Sequence, residues 1–334
     1  MPELWDIYDK DRKLTGRTTY RHTPLPEGEY HLVEEIWIFT LDNRLLLTRR
    51  HPDKHYGNLL ECTGGAVVAG ETAIEGLRRE IHEETGLSLG DTLPTRLSSS
   101  TGPYTHYDTY AVKLDFSLSD IVLQENETIE AGLYDPSVLF DDTFCQNNLP
   151  PSVYGRLQVL RPLLKAFLDG AEAVDVCDEN GNLAGYSRLR QTVPHKGETY
   201  LATAAFLKDE SGNILITRRS MQKKSAPGEW ELTGGGVRAG ETPLQAVCRE
   251  VREEVGVDIA PYAPQAIGKV VDTDASGSWM MVIFAVTLPL SLGKLTLQPE
   301  EIMDAALVPF ESLKALPRVW DSILKDHPEM IAKM

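Results

Sequence analysis

Apolar and polar positions alternate along this chain in an order that is run through twice. LWDIYDKDRKLTGRTTYR (Leu4–Arg21) reads as a strand, a polar turn and a second strand, and VDVCDENGNLAGYSRLR (Val174–Arg190) repeats that pattern. Asp6, Asp9, Leu14, Gly16 and Arg21 fall opposite Asp175, Asp178, Leu183, Gly185 and Arg190. Next, IWIFTLDNRLLLTRR (Ile36–Arg50) and AAFLKDESGNILITRR (Ala204–Arg219) each give two apolar strands around a polar turn. An amphipathic helix follows in both halves. Thr72 and Glu75 have capping-box spacing with Gly86 as the stop, and Thr242, Pro243 and Gln245 start the second helix, with Gly256 ending it. Strand patterns then recur as THYDTYAVKLDF (Thr105–Phe116) and SWMMVIFAVTL (Ser278–Leu288), and LQENETIEAGLYDP matches LQPEEIMDAALVP.

Two copies of one α/β unit account for the order, and 334 residues suit two domains of ordinary size. The seam is expected where VYGRLQVLRPLLKAFL gives way to DGAE, dividing the chain into residues 1–168 and 169–334. Pro162 argues against one straight helix just before it. So short a linker implies domains that touch, as an intramolecular pseudo-dimer.

The helices carry the chemistry. GAVVAGETAIEGLRREIHEETGL (Gly65–Leu87) returns as GGVRAGETPLQAVCREVREEVGV (Gly235–Val257), with glycines, glutamates and the arginine at the same relative positions. Glu80, Glu83 and Glu84 are spaced i, i+3, i+4 and crowd one helix face, as do Glu250, Glu253 and Glu254. Three carboxylates so close call for a cation, and oxygen ligands suit Mg2+ or Mn2+ bridging to phosphate. The TGG of Thr63–Gly65 and TGGG of Thr233–Gly236 give the backbone room beside the helix start.

Composition narrows the partners. A formal charge of -17, from 50 acidic and 33 basic residues, repels nucleic acid and anionic membranes, so an anionic small molecule must meet local positive charge. Arg50 and Arg219, at the ends of LTRR and ITRR, are candidates for that charge, together with the backbone at Gly65 and Gly235. Cys62, Cys145, Cys177 and Cys248 show no CxxC or metal spacing; reduced thiols are expected, with Cys62 and Cys248 as apolar fillers. With no export-type leader and no run of eighteen apolar residues, a soluble cytoplasmic protein without membrane partners is expected.

The doubled frame, a glycine, then Glu71 or Glu241, Arg79-Glu80 or Arg249-Glu250, the paired glutamates and a closing glycine, resembles the Nudix box. The resemblance covers both halves and implies two α/β/α sandwiches around mixed sheets. It further implies metal-dependent hydrolysis of a nucleoside diphosphate linked to a group X. On that footing Glu80, Glu84, Glu250 and Glu254 are catalytic, and Glu83 and Glu253 complete the metal sets. Arg79 and Arg249 orient a box glutamate, Glu71 and Glu241 partner the arginines, and Glu127 and Glu301 are candidates for a further ligand or base.

Two other readings compete. The flanks also resemble isopentenyl-diphosphate isomerase, a Nudix relative whose chemistry wants a Cys-Gly-His-Pro segment; here Gly64, Gly65 and Ala66, and Gly234, Gly235 and Gly236, stand there. A non-catalytic sensor would tolerate an eroded box or add a basic recognition helix, and neither is seen. Markers of group X cancel: Pro103 and Tyr104 both fall in the window after the first box, and DTDASG occupies it after the second.

Overall fold

The structure is a computed structural model describing residues 3–178, 180–192, 194–195, 197–274 and 277–334. Ala275 and Ser276 of DTDASG, and Glu179 of the second opening turn, lie outside the described residues. The chain divides into two compact units, residues 1–173 with 185–190, and residues 174–184 with 191–334.

The first unit opens with strands β1 (Leu4–Tyr8) and β2 (Leu14–Tyr20), paired antiparallel. Its sheet centres on β3 (His31–Thr40), which runs antiparallel to β4 (Leu45–Arg50). The short strands β5 (Leu60–Glu61) and β6 (Thr63–Ala66) pair with β4 and β3 and lead into helix α1 (Ala73–Thr85). After α1 come β7 (Thr95–Thr101) and β8 (Thr105–Leu114); β8 lies parallel to β3 and antiparallel to β7. β9 (Thr128–Tyr134) closes the other edge against β4, and α2 (Asp142–Asn148) and α3 (Pro151–Leu168) complete the unit.

Alternation along β3 separates two cores. Ile36 and Ile38 face α1 with Ile74, Leu77 and Ile81, while Trp37 and Phe39 pack with Leu157, Leu160 and Leu164 of α3. A mixed sheet between helical layers is the α/β/α sandwich anticipated. Pro162 lies inside α3, which runs unbroken from Pro151 to Leu168. The apolar face formed by Val153, Leu157, Leu160 and Leu164 is buried around it, and that burial outweighs the lost amide donor.

β10 (Ala173–Cys177) and β11 (Leu183–Leu189) begin the second copy. Residues 185–190, however, belong to the first unit, where β11 lies parallel to β7 with Ser187 opposite Thr95. The second unit repeats the central arrangement. β12 (Thr199–Lys208) pairs with β13 (Ile214–Arg219), beyond which β14 (Trp230–Glu231) and β15 (Thr233–Gly236) lead into α4 (Pro243–Val255). β16 (Gln265–Asp274), β17 (Gly277–Thr287) and β18 (Ile302–Val308) follow, β17 parallel to β12 and β18 antiparallel to β13. Ala205 and Leu207 pack on Val247, Val251 and Val255; Ala204 and Phe206 face the opposite core with Val319, Ile323 and Leu324. No helix among the described residues is long and apolar enough to cross a membrane.

Candidate active sites

Each box helix is fixed at both ends by its own sequence. Thr72 Oγ1 accepts from the Glu75 amide while the Glu75 carboxylate accepts from the Thr72 amide, and Gly86 closes the helix in the left-handed conformation at φ 73°. Thr242, Gln245 and Gly256 reproduce this on α4. The strand ahead of the helix then presses against it. A β-carbon on Gly65 would lie 2.3 Å from Glu80 Cδ, and one on Gly235 would lie 2.5 Å from Glu250 Cδ. Only glycine lets these carboxylates sit where they do.

The arginine is the hub. Arg79 donates to Glu71 at 2.9 and 3.1 Å, to Glu80 at 2.7 Å, to Glu83 at 3.2 Å and to the Ala66 carbonyl at 3.0 Å. Arg249 repeats the set with Glu241 at 2.7 and 2.8 Å, Glu250 at 2.7 Å, Glu253 at 3.2 Å and the Gly236 carbonyl at 3.0 Å. These bonds hold both guanidinium groups more firmly protonated than usual, the pairing with Glu71 or Glu241 first. Glu241 is correspondingly held low by Arg249.

The third box carboxylate is buried. Glu84 accepts from the Gly64 amide and Glu254 from the Gly234 amide, both at 3.2 Å. Burial raises both well above the ordinary carboxyl range, and neighbouring charges add to it: Glu61 and Glu80 for one, Glu231 and Glu250 for the other. Glu80 and Glu61 are also raised, chiefly by burial.

Glu61 and Glu231 are additions the box pattern did not supply. Arg50 pairs with Glu61, and Arg219 with Glu231 at 2.5 Å, so the two predicted phosphate-facing arginines are engaged by carboxylates at the edge of the cluster. Glu127 and Glu301 are paired with Lys54 and Lys223, lysines that sequence reasoning passed over. The repeat held the signal: Glu61 and Glu231 both stand two residues ahead of the threonine of TGG. Cys62 is buried, with its thiol pushed up by burial, and Cys248 packs beside the α4 core. His31 lies in the first unit against Trp5, and His82 is in the last turn of α1.

The units diverge next to these clusters. In the first, Glu35 of β3 accepts from Arg156 Nε of α3 at 2.8 Å, and the guanidinium lies 4.2 Å over the Tyr107 ring. In the second, register places Ala204 where Glu35 stands, and Arg318 donates to Glu231 at 3.2 Å.

The donor set fits a hard divalent cation. Like-charged carboxylates are buried side by side, and Glu61 Oε1 is a buried oxygen without a hydrogen-bond partner. No three such side chains among the described residues already surround one point. A bound cation would therefore draw part of its coordination from water and substrate phosphate, as magnesium commonly does.

The NUDIX domain model matches residues 31–144 and again 199–326. An uncharacterised Nudix hydrolase of Listeria monocytogenes is 35% identical over 134 residues, covering 39% of this chain and 78% of that protein. An isopentenyl-diphosphate Delta-isomerase of Mycolicibacterium vanbaalenii is 31% identical over 151 residues, covering 44% of this chain and 82% of its own. A crystal structure from Deinococcus radiodurans aligns at a TM-score of 0.41 and 20% identity, over 47% of this chain and 99% of that one.

Proposed function

The chain belongs to the Nudix family and is a Nudix hydrolase carrying the domain twice; from that premise we propose that both halves, 1–168 and 169–334, hydrolyse the diphosphate of a nucleoside diphosphate linked to a group X. The observation that carries this reading is the duplicate arginine network. Neither copy has lost a donor or acceptor, and matching bonds agree within 0.3 Å across the two sites. A half retained only as scaffold would be free to lose them.

In each half the residues divide the labour. Glu80, Glu83 and Glu84, with Glu127, would hold Mg2+ or Mn2+ in the first site; Glu250, Glu253, Glu254 and Glu301 would do so in the second. Such an ion supplies charge neutralisation at the diphosphate and a water acidified for attack at phosphorus. Arg79 and Arg249 fix the orientation of Glu80 and Glu250 before substrate arrives, so the carboxylates need not reorganise during reaction. The Gly64 and Gly234 amides do the same for Glu84 and Glu254. A box glutamate takes the proton released by the attacking water. Arg50 with Lys54, and Arg219 with Lys223, place positive charge at the edge of clusters that would otherwise repel an anionic substrate.

Relatives that are isomerases favour a second reading, but neither half offers the groups that reaction needs. Gly64-Gly65-Ala66 and Gly234-Gly235-Gly236 provide neither thiol nor imidazole, and Cys62 is buried with its proton held tightly.

A metal-supplemented screen of ADP-ribose, NADH, dinucleoside polyphosphates, CoA, dNTPs and prenyl diphosphates tests the proposal, run on wild type, Glu80→Gln, Glu250→Gln and the double variant. Release of a mononucleotide is expected, with partial loss from each single variant and full loss from the double. Turnover abolished by one substitution alone would refute two working sites, and conversion of isopentenyl to dimethylallyl diphosphate would refute hydrolysis.

A further inference from the structure

The first unit contains a cavity of about 370 Å³ that the box does not use, walled by Trp5, Pro24, Leu25, His31 and Tyr104 together with the polar His22 and Thr23. Its volume falls in the range of small-molecule sites, roughly 300–1,000 Å³. Trp5, His31 and Tyr104 give it an aromatic side. Trp5 and His31 stack with ring centroids 4.3 Å apart and planes 13° from parallel, and the His31 amide donates to the Tyr104 carbonyl at 3.2 Å.

This cavity is tied to the box of the same unit. The Leu4 carbonyl accepts from the Ala69 amide at 2.7 Å, and Asp6 accepts from the Gly70 amide at 2.8 Å, so the strand bearing Trp5 is bonded to the loop that starts α1. Glu3, which accepts from the Trp5 indole at 3.4 Å, adds its negative charge to the field at Glu80. The second unit keeps the attachment and changes the wall. Asp175 accepts from the Gly240 amide at 3.0 Å, but Val174, Tyr200 and Ser278 occupy the positions of Trp5, His31 and Tyr104. Tyr200 is buried, and its hydroxyl donates to the Thr192 carbonyl.

We propose that the Trp5–His31–Tyr104 cavity is a nucleobase site of the first domain only, in which a planar heteroaromatic ring lies against the aromatic wall while its phosphates reach the adjacent box. The proposal rests on the nucleoside diphosphate reading above and divides the two halves by substrate. A ring of that kind gains stacking on indole and phenol faces whichever base it carries. A base-free diphosphate gains nothing there.

Calorimetry of AMP, GMP, CMP and UMP against ribose 5-phosphate, on the intact metal-free chain, separates the base from the phosphate. At least one mononucleotide should bind about tenfold or more tighter than ribose 5-phosphate. Trp5→Ala should remove that advantage, Trp5→Phe should keep most of it, and Tyr104→Ala, at an exposed rim position, should weaken it without threatening the fold. Mononucleotides that bind no better than ribose 5-phosphate, or binding indifferent to both Trp5→Ala and Tyr104→Ala, would overturn the proposal. Hydrolysis of nucleoside diphosphates in Glu250→Gln with a KM unmoved by Trp5→Ala would overturn this site and leave the hydrolase reading intact. Base-dependent binding without such hydrolysis would do the reverse.

Discussion

Replacing Gly65 by alanine perturbs one carboxylate while sparing the backbone. The added β-carbon would lie 2.3 Å from Glu80 Cδ and 2.3 and 2.5 Å from its two oxygens. Non-bonded carbon contacts settle at about 3.5–4.0 Å, so the carboxylate must retreat by roughly 1 Å or more. Retreat pulls on the 2.7 Å bond from Arg79, and misplacement of a reacting group by about 1 Å can cost on the order of 100-fold in rate. The backbone has little reason to object, because Gly65 is not among the glycines held at positive φ. Gly64 supplies the contrast: a β-carbon there would meet the Glu34 carbonyl oxygen at 2.2 Å and force β3 and β6 apart. Steady-state kinetics in a Glu250→Gln background, paired with thermal unfolding, reads both effects. Gly65→Ala should lower kcat about 100-fold with nearly unchanged Tm, whereas Gly64→Ala should lower Tm. Full kcat in Gly65→Ala would refute the claim that the position of Glu80 sets the rate.

The remaining predictions concern buried groups of the first unit. Glu34 is fully buried, and burial followed by the Asp108 charge raises it well above the ordinary carboxyl range. The unfolded chain therefore ionises first as pH rises, and stability drains through that window; Glu34→Gln should melt higher than wild type at pH 8 and alike at pH 4, and equal melting at both would contradict this. His106, buried and stacked on Tyr30 at 4.4 Å, has its imidazole lowered mainly by burial. Unfolding then takes up a proton as pH falls through the ordinary value of 6.5. His106→Met, which installs the residue found at the matching position 280, should flatten the loss of urea resistance between pH 7.5 and 5; an unaltered slope would assign that loss to other groups.

What could be read from sequence was mostly local. Thr72 with Glu75 and Gly86, and Thr242 with Gln245 and Gly256, announce helix ends because each capping bond spans a few residues. The crowding of Glu80, Glu83 and Glu84 follows from helical spacing alone. Glu61 was invisible to that reasoning: its place beside Glu84 depends on β5 pairing with β4, and Glu35 meets an arginine 121 residues away. Pro162 shows the reach of tertiary packing: a proline removes a helical amide donor, yet α3 continues through it with Val153, Leu157, Leu160 and Leu164 buried.

The first unit borrows residues 185–190 from beyond its own gene half, and they are not decoration. Ser187 bonds Thr95 at 3.0 Å, Tyr186 accepts from Arg96 and lies under its guanidinium at 4.7 Å, and Leu189 is wholly buried in the α3-side core. A duplication normally leaves two modules that recombination can separate again. Here a chain ended at residue 168 keeps every box glutamate of its site yet lacks the strand that pairs with β7. No single cut in the chain divides it into its two units.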